Sequence, residues 1–271
     1  MTDLTVLAAF AHPDDETMLA GGILAMLVDQ GATLHLLLAT RGEGGELGEP
    51  PLTERSKLGM VREAELRCAA EILGAESVLV LDYIDPLVGE GEALYPFEAE
   101  FEGLAQELAT ARQAMQADVL ITHGSNGEYG HPAHILMHKA SKLALQSDTG
   151  RSIPLYTVLA DYPNHPRPRL ANKDDPADFI LDIKNWLPAK LKAAECHRTQ
   201  GALFVRRSSQ KAGRSLELAE VLMKVESLQR SWPPLDSLTE DRLAKFLRKN
   251  CSSALIYDGL DIKSDPSRLT D

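Results

Sequence analysis

Cysteine is scarce in this chain of 271 residues: Cys68, Cys196 and Cys251 are odd in number, lie far apart and form no CxxC or zinc-ribbon spacing. The length excludes a disulfide-stapled miniprotein, and neither a disulfide framework nor a cysteine metal site is expected. A reducing, cytoplasmic setting is the expectation. Long apolar runs are also missing. The run Val6 to Ala11 is far shorter than a signal-peptide core or a membrane span, and Asp3 precedes it where a basic flank would be expected. No targeting segment and no membrane partner are expected. Positive charge is in deficit, with 28 Lys plus Arg against 40 Asp plus Glu and a net charge of −12. That balance repels phosphate backbones, so nucleic acid is not an expected partner. The sequence also lacks internal repeats and low-complexity tracts.

What is present is an ordinary globular composition, 44% hydrophobic and 25% charged, in a chain long enough to bury a sizeable core. Thr5 to Ala11 reads as a buried strand, and Pro13 blocks its further pairing at His12-Pro13-Asp14-Asp15. A helical pattern from Glu16 to Gln30 stops at Gly31, and Thr33 to Thr40 is a second buried strand, which makes a parallel βαβ unit. After a glycine- and proline-rich loop from Arg41 to Thr53, helical and strand patterns keep alternating as far as a strand near 154 to 160. This order predicts an α/β fold, a Rossmann-like, doubly wound, mostly parallel sheet with helices on both faces. Residues 162–178 carry four prolines and read as a loop long enough for a lid or specificity segment. Helices are expected over 183–200, interrupted near Pro188, and over 215–229. The domain reading is a catalytic unit over 1–200 and an extension over 201–271 packed on the same domain.

In an open parallel sheet, sites form at the carboxyl ends of the strands. The first strand runs into His12 to Glu16, the fourth ends at His123, and Gly130-His131-Pro132-Ala133-His134 opens the next helix. A turn that holds His12 and Asp15 three residues apart can point both at one ion while Asp14 faces elsewhere, and His134 adds a third ligand. Two histidines and one carboxylate leave positions for water, as a catalytic zinc requires; Fe2+ also suits such a mixed nitrogen and oxygen site. An Asp-Asp pair alone reads as a helix start. Two histidine clusters at two strand ends turn the reading toward a metal. A dinucleotide site is not expected, because GxGxxG is absent and two acids stand where a pyrophosphate needs bare backbone.

On these residues the chain resembles the PIG-L/LmbE-like family of zinc-dependent N-deacetylases, which remove acetyl from N-acetylglucosaminyl conjugates. The family's His-Pro-Asp-Asp-Glu stands at His12 to Glu16 and its His-Pro-x-His at His131 to His134. Thr40 to Gly45 resembles its glycine-rich loop, Arg62 to Gly74 its Arg-Glu-x-Glu helix, and Asp182-Ile183 with Lys192 to Gln200 its late segments. The resemblance implies an LmbE-like fold, zinc on His12, Asp15 and His134, Asp14 as general base, and His131 as an imidazolium that stabilises the tetrahedral intermediate. Tyr129 matches a tyrosine that contacts the reacting carbonyl in some members, and Arg62 an arginine that holds sugar hydroxyls. Ala133 departs from the pattern: the family's usual Asp there would orient the nearby histidine and raise its pKa.

The implied partner is a small-molecule N-acetyl sugar conjugate, with a homo-oligomer left open. The alternatives are an amidase acting on a larger glucosaminyl conjugate and a sugar-binding relative with weakened catalysis. Of the other histidines, His35, His138 and His165 are expected to pack or face solvent, and His123 and His197 to support the site or the core.

Overall fold

The computed structural model describes residues 4–147, 151–233 and 240–259. β1 (Thr5–Phe10) turns at residues 11–14 into α1 (Asp15–Asp29), and β2 (Thr33–Thr40) returns parallel to β1. α2 (Leu58–Leu73) leads to β3 (Ser77–Tyr83), and α3 (Phe101–Ala114) to β4 (Val119–Thr122). The one-turn α4 (Gly127–Gly130) and α5 (Pro132–Gln146) lead to β5 (Leu155–Val158). The short β6 (Ala160–Asp161) and β7 (Asn172–Pro176) pair with each other. β8 (Phe179–Asp182), α6 (Leu187–Cys196), α7 (Arg198–Ala212) and the one-turn α8 (Leu218–Val221) come next. β9 (Val225–Trp232), α9 (Arg242–Asn250) and β10 (Leu255–Asp258) close the described chain.

The large sheet has the order β10-β8-β9-β5-β4-β1-β2-β3. From β5 to β3 every pairing is parallel, whereas β8, β9 and β10 join antiparallel. Strand order therefore reverses beside β1, whose neighbours are β2 and β4, and a crevice opens there at the carboxyl ends. The apolar runs of β1 and β2 reflect burial on both faces. Val6, Ala8 and Phe10 pack into one core cluster with Leu34, Leu36 and Leu38, while Leu7 and Ala9 pack into the other with Leu37 and Ala39. Alternate side chains thus serve opposite faces of one sheet.

Three expectations are corrected. Residues 215–229 are not one helix: only Leu218–Val221 is helical, and Val225–Trp232 is β9, inserted between β5 and β8. Leu228 lies opposite both Val158 and Phe179, so pairing on two sides overrides a helix-like spacing of apolar residues. The segment 162–178 is not all loop, since it contains β7. Cys68 and Cys196 form a disulfide, Cα to Cα 5.8 Å, because α2 and α6 lie side by side although 128 residues separate the two cysteines. Cys251 is free and buried. No helix among the described residues is long and apolar enough to cross a membrane.

Candidate metal and catalytic centre

The neighbouring positions of β1 and β4 bring His12 to Asp15 and His123 to His134 to one edge of the sheet. Pro13 ends the pairing of β1, and Asp14 takes a backbone conformation in the left-handed region, φ 112°. For a non-glycine residue this costs about 1–3 kcal/mol and persists only when the surroundings enforce it. The Asp14 N–H donates to Glu16 Oε2 at 3.0 Å, and the His12 N–H donates to Asp15 Oδ2 at 2.9 Å. The turn is therefore held by the first residues of α1.

Asp15 sits between the two expected histidine ligands, with Oδ2 3.3 Å from His12 Nδ1 and Oδ1 3.4 Å from His134 Nε2. Donor atoms of His12, His131 and His134 lie within 4.8 Å of one another, as do those of Asp15, His123 and His134. His12 Nε2 and His134 Nε2 are buried without a hydrogen-bond partner. Each nitrogen faces a carboxylate, His12 Nε2 that of Asp85 and His134 Nε2 that of Asp15, and imidazole nitrogens beside carboxylates are the donor set a divalent ion takes. His12, Asp15 and His134 could hold it. Burial lowers the pKa of His12, but the Asp85 and Asp15 carboxylates outweigh that and push it up to about 10. The same carboxylates make the spot attractive to a cation.

Behind these groups stands Glu128, which the sequence reading missed. Its Oε2 lies 2.5 Å from His134 Nδ1 and 3.1 Å from His123 Nδ1, and Oε1 accepts the Gly124 N–H at 3.0 Å. Burial works to raise the Glu128 pKa, yet the two imidazoles hold it well below the usual carboxylate range. A proton fixed on His134 Nδ1 leaves Nε2 with its lone pair free for a ligand. His123 supports rather than ligates in this arrangement, since its Nε2 accepts the Ala11 N–H at 3.0 Å. His138 Nδ1 donates to the His123 carbonyl at 3.0 Å, and His197 Nε2 lies 2.7 Å from Glu16 Oε1. β7 packs on this loop: the Glu128 N–H donates to Asn172 Oδ1 at 3.0 Å, and the Ser125 N–H to Asp175 Oδ2 at 2.7 Å.

Asp14 points to the other side, where Arg62 Nη2 donates to its Oδ2 at 3.0 Å. Burial raises the Asp14 pKa, Arg62 pulls it down, Asp15 pushes it up again, and the outcome is about 7. The buried Arg62 also donates to the carbonyls of Pro13 and Gly42. A Cβ at Gly42 would stand 2.1 Å from Arg62 Nη1, and the residue has φ +71°, so glycine is required there for the guanidinium to pass.

His131 Nδ1 accepts the Ala133 N–H at 3.2 Å, which leaves Nε2 as the protonated nitrogen of a neutral ring. Burial, with His134 and His12 beside it, pushes its pKa down to about 2. The half-exposed Tyr129 presents its ring edge-on to His131 and His134, with centroids 5.6 and 5.8 Å apart. Asp85, also missed in the sequence, comes from the segment after β3. Its Oδ1 is 3.3 Å from His12 Nε2, and its Oδ2 accepts the Gly44 N–H at 3.2 Å. Its one sequence signal was its place just beyond the carboxyl end of a strand.

Fold and site together define an α/β protein with a histidine and carboxylate cluster that could hold a metal ion at the switch point of its sheet. The chain belongs to the PIG-L family, described as GlcNAc-PI de-N-acetylase, whose profile matches residues 7–145. It is 32% identical over 227 residues to the 1D-myo-inositol 2-acetamido-2-deoxy-alpha-D-glucopyranoside deacetylase of Actinosynnema mirum, covering 72% of this chain and 80% of that one. The protein of the same name from Thermomonospora curvata is 30% identical over 241 residues, covering 73% and 81%.

Among solved structures, the fold is similar to that of GalB, the 4-carboxy-2-hydroxymuconate hydratase of Pseudomonas putida KT2440, with TM-score 0.59, 24% identity and coverage of 88% and 99%. It is also similar to N,N'-diacetylchitobiose deacetylase of Pyrococcus horikoshii, with TM-score 0.55, 19% identity and coverage of 83% and 82%. Since a hydratase shares the architecture, the reaction has to be argued from the residues.

Proposed function

We propose that this protein is a zinc-dependent hydrolase that removes the acetyl group from an N-acetylglucosaminyl-type small molecule. The observation that carries the reading is the buried group His12, Asp15 and His134 with the ionisable Asp14 beside it. A zinc ion on those three ligands supplies a lowered pKa for bound water and polarises the amide carbonyl.

The chain's own groups account for the rest. Asp14, near pKa 7, accepts a proton from the attacking water and returns it to the departing amine, a task that needs a pKa close to the working pH. Arg62 keeps Asp14 oriented through Nη2, and the resemblance to the family would set its side chain against a substrate hydroxyl. His131 donates through Nε2–H to the developing oxyanion, with the Ala133 N–H orienting the ring. Tyr129 borders the same space and offers its hydroxyl to the carbonyl oxygen.

In this reading residues 1–200 carry the chemistry, and the tail from 201 completes the sheet. Neither nucleic acid nor a membrane is a partner in this reading. Ligands and base together argue against a binding protein that has lost catalysis. The test is an assay of released amine on a panel of N-acetylated sugar conjugates, with and without chelator. Release that stops on chelation supports the reading, and no release from any conjugate defeats it.

A further inference from the structure

Two sets of side chains hold the Asp14 turn, and both lead back to the same pair of cysteines. On one side Glu16 Oε2 accepts the Asp14 N–H at 3.0 Å, and His197 Nε2 lies 2.7 Å from Glu16 Oε1. His197 directly follows Cys196, the last residue of α6. On the other side Arg62 of α2 donates to the Asp14 carboxylate. Arg62, Glu65 and Cys68 succeed one another turn by turn along α2. Glu65 accepts the Thr199 N–H at 2.9 Å and the Thr199 hydroxyl at 2.7 Å. The Cys68–Cys196 bond thus closes a ring that runs through α2, Arg62, Asp14, Glu16 and His197 back to α6.

Apolar packing fastens that end of α6 only weakly. The buried members of the cluster there are Ala25, Ala69, Leu73, Ala193 and Cys196, and alanine buries little apolar surface. Lys190, ion-paired to Glu226 at 2.6 Å, anchors α6 well before its end. From Cys196 onward the chain is held to α2 by the disulfide and by Glu65. Asp14, at φ 112°, keeps a conformation that persists only where its surroundings enforce it, so slack in its holders frees it. The bond is also within reach of solvent, since Cys68 is exposed while Cys196 is buried. A small-molecule thiolate attacks Cys68 Sγ, the sulfur–sulfur bond breaks, and its electron pair leaves on Cys196 Sγ. A second thiol then removes the first as their own disulfide. Two thiols are oxidised, the protein disulfide is reduced, and the two protons end on Cys68 and Cys196. Cys251 is buried in a different cluster and takes no part.

We propose that the Cys68–Cys196 disulfide is a redox switch on the base: closed, it holds α2 and His197 so that Asp14 keeps its working place, and opened by a small-molecule thiol it frees Asp14 and slows turnover. The activity arm of the inference rests on the deacetylase reading. The test compares the zinc-loaded full chain in its oxidised form with the same protein opened by reduced glutathione, with thiol titration reporting the bond and metal analysis the zinc. On the methyl glycoside of N-acetylglucosamine, opening should lower kcat at least about tenfold at unchanged KM and zinc content, because small displacements of a reacting group are costly. Reoxidation should restore kcat, and Cys68→Ser should show the low kcat with no response to glutathione. Hydrogen exchange, which needs no turnover, should quicken at the amides of residues 12–17 on opening and stay unchanged in β1 and β2. Equal kcat in the two forms overturns the switch and leaves the deacetylase reading standing. A loss that comes with lost zinc, or with faster exchange throughout the chain, overturns it too, since the bond would then serve stability alone. If neither form releases amine, the deacetylase reading fails and exchange decides: faster exchange confined to residues 12–17 supports the clamp, and unchanged exchange overturns it.

Discussion

Arg62 and Asp14 form a buried ion pair, Nη2 to Oδ2 at 3.0 Å, and the same guanidinium grips the carbonyls of Pro13 and Gly42. The residue that lowers the pKa of the proposed base is thus the one that locks the turn presenting it.

That coupling predicts a pH effect with a definite sign. Burial raises the Asp14 pKa and Arg62 opposes it. Removing the guanidinium in Arg62→Ala leaves burial, Asp15 and Glu16 opposed by His197 alone, so the base ionises only at higher pH. The acid limb of kcat/KM should move upward by about 1 unit, the low end for loss of one adjacent opposite charge. Arg62→Lys, which keeps the charge and loses the fork, should shift the limb less. Profiles at fixed zinc loading decide the point, and an unmoved limb in Arg62→Ala would assign the titration to another group.

Glu128 fixes the tautomer of His134 while also receiving His123. Glu128→Gln should weaken zinc binding by about 10–100-fold, the usual range for a partner standing behind a ligand. Competition against a chromogenic chelator measures it. Unchanged affinity would mean that His134 is oriented by its packing alone.

Asp14→Asn preserves shape and removes basicity. Turnover should fall at least about 100-fold with zinc content intact, because a general base contributes that much or more. Metal analysis and the amine assay on the same preparation separate a lost base from a lost ion; full activity would show that another group takes the proton.

Much of this was legible because the chemistry is local in sequence. His12, Asp14 and Asp15 share one turn, and His131 and His134 share one helix start; a strand before each turn told which edge of the sheet they occupy. Residues joined only by tertiary packing were not legible. Glu128 acts on His134 through a loop backbone with φ 59°, which no spacing announces. Cys68 and Cys196 meet because α2 packs on α6, and β9 is a strand because β5 and β8 leave a place between them. Ala133 looked like a defect in a motif, but its side chain is in the core and its N–H orients His131.

The disulfide carries its own prediction. Closing a span of 128 residues restricts the unfolded chain, so Cys68→Ser should lower stability by about 2–4 kcal/mol in chemical denaturation. The parent protein kept in reductant should match the variant. Identical midpoints with and without reductant would show that the bond adds nothing.

The most direct test of the central claim is a titration of deacetylase activity with zinc on chelator-stripped protein. Activity should be absent at the start and rise linearly to a plateau at about one ion per chain; in His134→Ala the rise should be lost. Full activity in the stripped protein, with no response to added zinc, would contradict the account.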